Sequence, residues 1–194
     1  MTKAKSRASI AKMFGMIDEP NRTRCRKLYK ENEELFRNAY GSVHNHQSWP
    51  GGYHDHIQEI MNIAILFYGP MIGARFLPFS LSDALLVLFL HDLEKPWKYE
   101  RGEDGMLRHK PEFATKEDAH RFRMQKIAEY GIVLSPVQEN ALTYVEGESR
   151  DYMNRRRIMN ELAMFCHMCD GTSARIWYGY PLKQNDPWSS EEEK

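Results

Sequence analysis

The sequence has few cysteines, no long apolar run and no net charge. Its three cysteines, Cys25, Cys166 and Cys169, are too few for a disulfide framework, and no apolar signal segment is evident. We therefore expect a soluble protein in the reducing cytoplasm. The longest purely apolar run, residues 84–90, is far shorter than the roughly 20 residues of a membrane span. Twenty-seven basic and twenty-seven acidic side chains cancel, which argues against a broad basic surface for duplex nucleic acid.

The remaining composition is that of one folded unit. Hydrophobic residues make up 42% of the 194 residues, enough for a single core. Charge is unevenly distributed, because the first thirty residues contain nine basic and two acidic side chains. We predict a basic N-terminal arm over 1–20, a folded domain over 21–180 and a polar C-terminal tail over 181–194. The arm is interpreted as a frayed terminus, with a phosphate-attracting segment or a transit peptide as alternatives.

The spacing of apolar residues predicts an all-α fold. They recur every three or four positions, and no alternating run of strand length is present. Helices are predicted over 22–39, 52–68, 81–92, 115–130, 135–147 and 154–178. Thr115 and Ser135 have the sequence context of helix N-caps, and Gly131 stands where a C-terminal glycine belongs. The polar stretch 95–111 is predicted to be a surface loop or a short hairpin.

Ionisable residues fall on helix faces that the pattern predicts to be buried. His56 lies on the apolar stripe of helix 52–68, His91 and Asp92 follow a uniformly apolar helix, and Asp170 lies on the apolar stripe of the last helix. Buried charges are usually paired or bound to metal. Two imidazoles with carboxylates suit manganese, iron, cobalt, nickel or zinc, and magnesium less well. The alternative is a set of hydrogen-bonded polar groups without metal.

This order of residues resembles the HD-domain superfamily of metal-dependent phosphohydrolases. The segment GGYHDH at 51–56 is similar to the glycine-led entry to the first histidine helix of that family. The segment HDLEKP at 91–96 is similar to its His-Asp-x-Gly-Lys-Pro motif. The resemblance covers about residues 40–178 and implies an HD-type helical bundle. It also implies that His56, His91, Asp92 and Asp170 bind the metal, and that Lys95 contacts phosphate.

The sequence departs from the family pattern at two places. Glu94 stands where the family commonly has glycine, and its carboxylate could reach a second cation or be exposed. The resemblance implies that His120 is a candidate ligand for a second metal. The later segment LTYVEGE at 142–148 contains no histidine, whereas relatives with two metals carry one there. We therefore expect one tightly held metal and at most a weaker second site.

The resemblance implies hydrolysis of a phosphoester or phosphoanhydride, most often of a nucleotide, by metal-activated water. Asp92 and Lys95 would carry the chemistry. Further cations that could offset phosphate charge are Arg121, Arg123, Arg101, Lys98 and residues 155–157. Proton donors could be Glu94 or Glu146. Aromatic side chains that could stack on a base are Trp97, Tyr99, Tyr144 and Trp177, although aromatic residues at helical spacing more often belong to the core.

Other histidines and cysteines have less specific contexts. His54 cannot face the same ion as His56 within one helix, because residues two apart do not share a face. His44 and His46, on the preceding loop, could line the mouth of the pocket or have no role. The segment CHMC at 166–169 has the spacing of a zinc or redox motif, but buried thiols packed beside Asp170 are the simpler interpretation.

Two other classes of function fit the sequence less well. One is an HD-type module that binds a nucleotide or a protein partner without turnover, which the intact ligand set argues against. The other is an RNA-associated protein with a basic arm, whose affinity would fall steeply with salt. The sequence gives no indication of the oligomeric state.

Overall fold

The predicted all-α architecture is confirmed. The computed structural model describes residues 7–43, 45–182 and 186–188, except the side chain of Arg150. The helices are α1 (Ile10–Phe14), α2 (Asn21–Glu31), α3 (Glu33–Asn38), α4 (Gly52–Ala74), α5 (Leu81–Leu90), α6 (Lys95–Lys98), α7 (Lys116–Glu129), α8 (Pro136–Tyr144) and α9 (Glu161–Gly171). Short 3₁₀ turns span Pro111–Phe113 and Ser149–Asp151, and α9 continues as a π-helical turn over Thr172–Ile176.

Helices α4, α5 and α9 form the centre of the bundle, where each packs against the other two. Helix α8 adds to this group by packing on α5 and α9. Residues 84–90 of α5 are buried on every side, which explains why this helix has no polar stripe. The ends of these three helices therefore define one shared interior region.

Local capping sequences fix several helix ends as predicted. Thr115 and Asp118 form a reciprocal capping box at α7, and Ser135 and Gln138 form another at α8. Gly131 has φ 66, the left-handed conformation that glycine adopts without strain, and it ends α7. These ends were predictable because capping depends on residues three or four positions apart.

Some helix boundaries differ from the prediction. Helix α9 begins at Glu161 rather than near 154, because the Asn160 side chain caps it by accepting from the Ala163 amide at 2.7 Å. Helix α4 continues to Ala74 through Pro70. The predicted helix 22–39 is divided at Asn32, whose φ of −123° is not helical.

The polar stretch 95–111 contains the short hairpin that the sequence left as an alternative. Its strands, β1 (Tyr99–Arg101) and β2 (Leu107–His109), are antiparallel, with Glu100 opposite Arg108. Gly105, with φ 75, supplies the left-handed residue of the connection. The hairpin directly follows α6 and therefore begins beside the His91-Asp92 turn.

The interpretation of the N-terminal stretch as a frayed terminus is wrong for the residues described. The buried residues Ile10, Met13, Phe14 and Ile17 belong to the main core, and α1 packs against α2 and α4. These four residues are three or four positions apart, so their side chains lie on the same side of the chain and pack into the core. The arm predicted over 1–20 thus joins the domain from Arg7 onward. Residues 1–6 and most of the tail predicted over 181–194 lie outside the described residues.

Helix α4 is long and apolar enough, by length and composition alone, to cross a membrane. Its first half is nevertheless packed inside the protein, where His56 and Glu59 are both almost completely buried. In this structure, that half of α4 serves as a core helix.

Candidate metal centre

Three packed helices bring three predicted ligands together. His56 lies in the first turns of α4, His91 caps the C-terminus of α5, and Asp170 lies near the end of α9. One potential ligand atom from each residue lies within 4.8 Å of the other two. His56, His91 and Asp170 therefore form a group that could hold a metal ion.

Asp92 also contacts this group. Its Oδ2 lies 3.1 Å from His91 Nε2 and 3.8 Å from His56 Nε2. Asp170 Oδ1 approaches the same two nitrogens, at 3.2 Å from His56 and 3.7 Å from His91. Both carboxylates thus lie within 3.8 Å of the two imidazole nitrogens. The four residues predicted to bind the first metal are therefore neighbours in the structure.

The Nε2 atoms of His56 and His91 are buried and make no hydrogen bond, although two carboxylates lie nearby. His91 Nδ1 lies 2.8 Å from the Leu88 carbonyl oxygen, which can only accept, so the ring proton is on Nδ1. When neutral, His91 therefore directs the lone pair of Nε2 towards Asp92 and Asp170. A cation would satisfy these nitrogens, so the residues fit a metal site.

His56 is held in the same tautomer by a hydrogen-bonded relay. Ser173 Oγ donates to Glu59 Oε2 at 2.5 Å, so it can only accept from His56 Nδ1, which lies 3.2 Å away. Gln47 Nε2 donates to Ser173, to Glu59 and to the Tyr180 carbonyl, at 3.0–3.2 Å. Burial raises the pKa of Glu59 to about 6. This relay leaves His56 Nε2 free to face the centre.

The relay was not predicted, although weak signals for it exist in the sequence. Ser173 lies on the apolar stripe that carries Asp170, and Glu59 follows His56 by one helical turn on a buried helix. A buried acid of this kind needs a partner. The identity of that partner, more than one hundred residues away in the chain, could not be read from periodicity.

The loop before α4 requires its two glycines. Gly51 has φ 86, and a Cβ on Gly52 would lie only 1.9 Å from the Gln47 carbonyl oxygen. Gln47 itself has φ 45, an uncommon conformation for a residue other than glycine, and is completely buried. The glycines of the GGYHDH segment thus let Gln47 approach the start of α4 closely.

His46 is carried by this loop to the metal centre. Its ring centroid lies 4.8 Å from that of His56, and its Nε2 is buried with no hydrogen-bond partner among the described residues. Burial lowers the pKa of His46 to about 3, so the ring is neutral. Of the two roles left open by the sequence, this position favours one at the pocket. His44 lies outside the described residues.

Lys95 lies beside the candidate ligands, as the resemblance implied. Its Nζ is 2.6 Å from Asp92 Oδ2, and the backbone amide of Lys95 donates to the Asp92 carbonyl in the same turn. Lys95 is 9% exposed, so its charge acts mainly inside the protein. The short turn after α5 therefore fixes both the ligand pair and this ammonium group.

The pKa shifts at the centre follow from mutual charge stabilisation. Burial alone would lower the pKa of His91, but the Asp92 and Asp170 carboxylates outweigh it and raise that pKa to about 10. Burial alone would raise the pKa of Asp92, but His91 and Lys95 hold it well below its usual range. Burial lowers the pKa of His56, so that ring is neutral. Without a cation, the proton on His91 and the Lys95 ammonium therefore offset the carboxylate charge.

The centre opens to solvent on one side. The side chain of Asp170 is 18% exposed, whereas those of His56 and His91 are 0% and 1% exposed. Asp170 is therefore the solvent-facing member of the group, and the two imidazoles are its buried members.

The expectation that Glu94 is exposed is wrong. Glu94 is buried, and its Oε2 accepts from Arg123 Nε at 3.1 Å and Nη2 at 3.0 Å. Its contact with a second cation stays a prediction. Arg123 is correspondingly engaged in this pair. Glu146, the other suggested acid, pairs with Lys116 at 3.1 Å on the surface.

His120 stands apart from the metal centre. It is exposed on α7 and belongs to no group of potential metal-binding atoms among the residues that the structure describes. The geometry therefore gives no support to its predicted role as a second-metal ligand. His54 faces away from the centre, with its Nε2 3.0 Å from Tyr29 Oη, which confirms that it does not share the face of His56.

The other suggested cations and aromatic residues have partners elsewhere. Arg121 pairs with Asp118, Arg101 with Tyr40, Lys98 lies near the Tyr99 ring, and residues 155–157 are exposed. Trp97 contacts Phe36 and Phe122, Tyr99 contacts His109, Trp177 contacts Trp188, and Tyr144 donates to Asp151. Base stacking by these aromatic residues stays a prediction.

The CHMC segment is not a metal motif in this structure. Cys166 and Cys169 are buried free thiols, and burial raises the pKa of each well above its usual value. His167, between them in sequence, contacts the Val145 carbonyl through Nδ1 at 2.7 Å. The expectation of buried thiols packed beside Asp170 is confirmed.

A scan against protein-family models, a search of curated proteins and a search of solved structures each found no match. The resemblance to the HD-domain superfamily therefore depends on the residues quoted above. The geometry by itself establishes a coarser point, which is that His56, His91 and Asp170 could hold a metal ion.

Proposed function

We propose that this protein is a metal-dependent phosphohydrolase of the HD type, acting on a phosphoester or phosphoanhydride bond of a nucleotide. The observation that carries the proposal is the pair of buried, unsatisfied Nε2 atoms of His56 and His91, facing two carboxylates. Buried nitrogens of this kind are expected where a cation binds.

His56, His91, Asp92 and Asp170 would hold the ion. Two nitrogen and two carboxylate donors favour manganese, iron, cobalt, nickel or zinc over magnesium. When bound, a divalent ion would polarise a phosphoryl oxygen and lower the pKa of a water molecule towards neutrality. The relay through Ser173 and Glu59 would keep His56 in the required tautomer, as the Leu88 carbonyl does for His91.

Charge at the centre supports a phosphorylated substrate. A divalent cation would cancel the Asp92 and Asp170 carboxylates, which leaves the Lys95 ammonium as the uncompensated charge. Its position beside Asp92 would allow Lys95 to orient an anionic phosphoryl oxygen and offset charge there. His46, with an unpartnered nitrogen beside His56, would contribute a neutral polar contact to substrate or water.

One observation favours the alternative, a module that binds its ligand without turnover. In the absence of metal, Lys95 and His91 already neutralise Asp92, so the cluster is electrostatically satisfied by protein groups alone. A polar cluster of this kind can be purely structural. The two functions differ in whether the purified protein holds metal and releases phosphate.

The test combines metal analysis with phosphate release from a panel of nucleotides in added manganese. We expect about one metal per chain and turnover in the wild type, and loss of both in Asp92→Ala and Asp170→Ala. Lys95→Ala should keep its metal but lose turnover. The matched control is His120→Ala, because His120 is exposed and lies outside the ligand group. This variant should behave as wild type.

Each outcome distinguishes the hypotheses. A full metal complement in Asp92→Ala would show that the ligand assignment is wrong. Absence of both metal and turnover in the wild type would favour the binding module. Loss of metal from His120→Ala would restore the second-metal role that the sequence suggested.

A further inference from the structure

A second concave site lies on the opposite face of the helix that carries His56. A solvent-open cavity of about 400 Å³ lies between α1, α2, α3 and the start of α4, within the size range of small-molecule sites. His54 lines it, and since His54 precedes His56 by two positions on α4, the two side chains point in different directions. The residues of the candidate metal group, His56, His91 and Asp170, do not line this cavity.

The cavity wall carries an excess of positive charge. Arg26 and Lys30 lie one turn apart on α2, and Arg37 projects from α3. The acid among the lining residues is Glu33, which accepts from Arg37 Nε at 2.8 Å. Pairing with Glu33 compensates one of the three cations, so the charges of Arg26 and Lys30 remain.

Arg26 and Lys30 make no close contact with a described acidic side chain. Within the described part of the chain, neither forms an ion pair or a hydrogen bond, although Glu19 attracts Arg26 electrostatically. Lys27, on another face of α2, lies 4.0 Å from Glu31 and does not line the cavity. The charge of Lys30 is therefore uncompensated at the cavity, and that of Arg26 is offset only by the longer-range attraction of Glu19.

The floor of the cavity is polar and its inner wall is apolar. His54 Nε2 lies 3.0 Å from Tyr29 Oη, and both residues line the cavity with Gln58. Ile10 and Phe14 close the side formed by α1. This combination can bind a molecule that has an anionic group at one end and an uncharged portion at the other.

We propose that this cavity is an anion site, separate from the metal centre, that binds a small phosphorylated molecule through Arg26, Lys30 and Arg37. Two arginines and a lysine can surround phosphate oxygens with several charge-assisted hydrogen bonds. The site gives a role to the excess of basic residues in the first thirty positions, which the hydrolytic centre does not use.

The experiment is a calorimetric titration of chelator-treated protein with inorganic pyrophosphate at low ionic strength, where screening is weak. We expect one site per chain. Arg26→Ala and Lys30→Ala should each weaken binding by roughly tenfold or more, since each removes a charge-assisted contact. Both positions are exposed on α2, so the variants should fold, which circular dichroism can verify.

Two controls separate this site from the alternatives. Lys27→Ala removes the same charge from the same helix outside the cavity, and it should change the affinity by less than about twofold. Lys95→Gln, at the metal centre, should also leave binding intact. No binding by wild type, or equal weakening by Lys27→Ala or Lys95→Gln, would overturn the proposal. The titration measures no turnover, so its result is independent of the proposed hydrolase.

Discussion

Single residues at the metal centre act through the nitrogen that each histidine leaves free. In His91, a backbone carbonyl accepts a hydrogen bond from Nδ1 and so fixes the proton there. In His56, the Ser173 hydroxyl accepts from Nδ1, because its own O–H is donated to Glu59. The two devices are chemically different but give the same result. The orientation of both candidate ligands therefore depends on groups outside the candidate metal-binding set.

Ser173→Ala should lower metal affinity by roughly 10-fold to 100-fold, because His56 loses the acceptor that fixes its tautomer. The affinity can be measured by competition with a chromophoric chelator. Thr172→Ala is the matched control, since its hydroxyl donates to the Met168 carbonyl in the same turn without contacting His56. Equal affinity in Ser173→Ala and wild type would show that the relay does not position the ligand.

His46→Ala should keep a normal metal content but release phosphate at least about tenfold more slowly. His46 packs against His56 and leaves a buried nitrogen without a partner, but it is not one of the grouped ligands. Metal analysis and initial rates on one preparation test both points. His109→Ala, an exposed histidine on β2, should match wild type. Loss of metal from His46→Ala would instead make His46 a ligand.

At the scale of elements, the site is built from the ends of helices and one tight turn. The turn between α5 and α6 carries His91 and Asp92, and Lys95 follows as the first residue of α6. The Glu94–Arg123 pair attaches this turn to α7, and both side chains are buried. Glu94 thus attaches α7 to the turn that carries the candidate ligands.

Removing one partner of this pair should be costly. Glu94→Leu or Arg123→Met would each leave the other residue's buried charge unpaired and destabilise the protein by about 3–5 kcal/mol. The double variant Glu94→Leu with Arg123→Met replaces both charges by apolar side chains and should recover much of that loss. Denaturant unfolding measures all three. A cost below about 1 kcal/mol for each single variant would mean that water reaches the pair.

For the whole molecule, the candidate ligands connect segments that are distant in sequence. The hydrogen bond between His56 and Ser173 alone spans 117 positions, and the three helices that supply ligands pack against one another. A bound ion would therefore hold α4, α5 and α9 together. Metal binding and global stability should be linked for this reason.

Added manganese should raise the thermal midpoint of the wild-type protein. At free metal one hundred times the dissociation constant, linkage gives about 2.7 kcal/mol of stabilisation. This corresponds to a rise of roughly 5–10 °C for a chain of this size. Differential scanning calorimetry with and without chelator measures the shift, and Asp170→Ala should show none. A wild type insensitive to metal would contradict the linkage.

Local features of the fold were predictable, whereas long-range features were not. The capping boxes at Thr115 and Ser135 depend on neighbouring residues, and the sequence located both. The start of α9 was predicted too early because the apolar spacing continues on the N-terminal side of Asn160. The Asn160 cap sets the actual start of the helix. Burial of residues 10–17 was missed because a short amphipathic segment within a basic stretch is a weak signal.

The sequence by itself determined which faces of the helices are buried, and hence that His56, His91, Asp92 and Asp170 point inward. Helical periodicity is local, so it can be read from a single chain. Only the tertiary structure decided that their atoms converge, that Ser173 and Glu59 orient His56, and that Glu94 pairs with Arg123. Those contacts depend on how distant helices pack, and no local repeat encodes that distance.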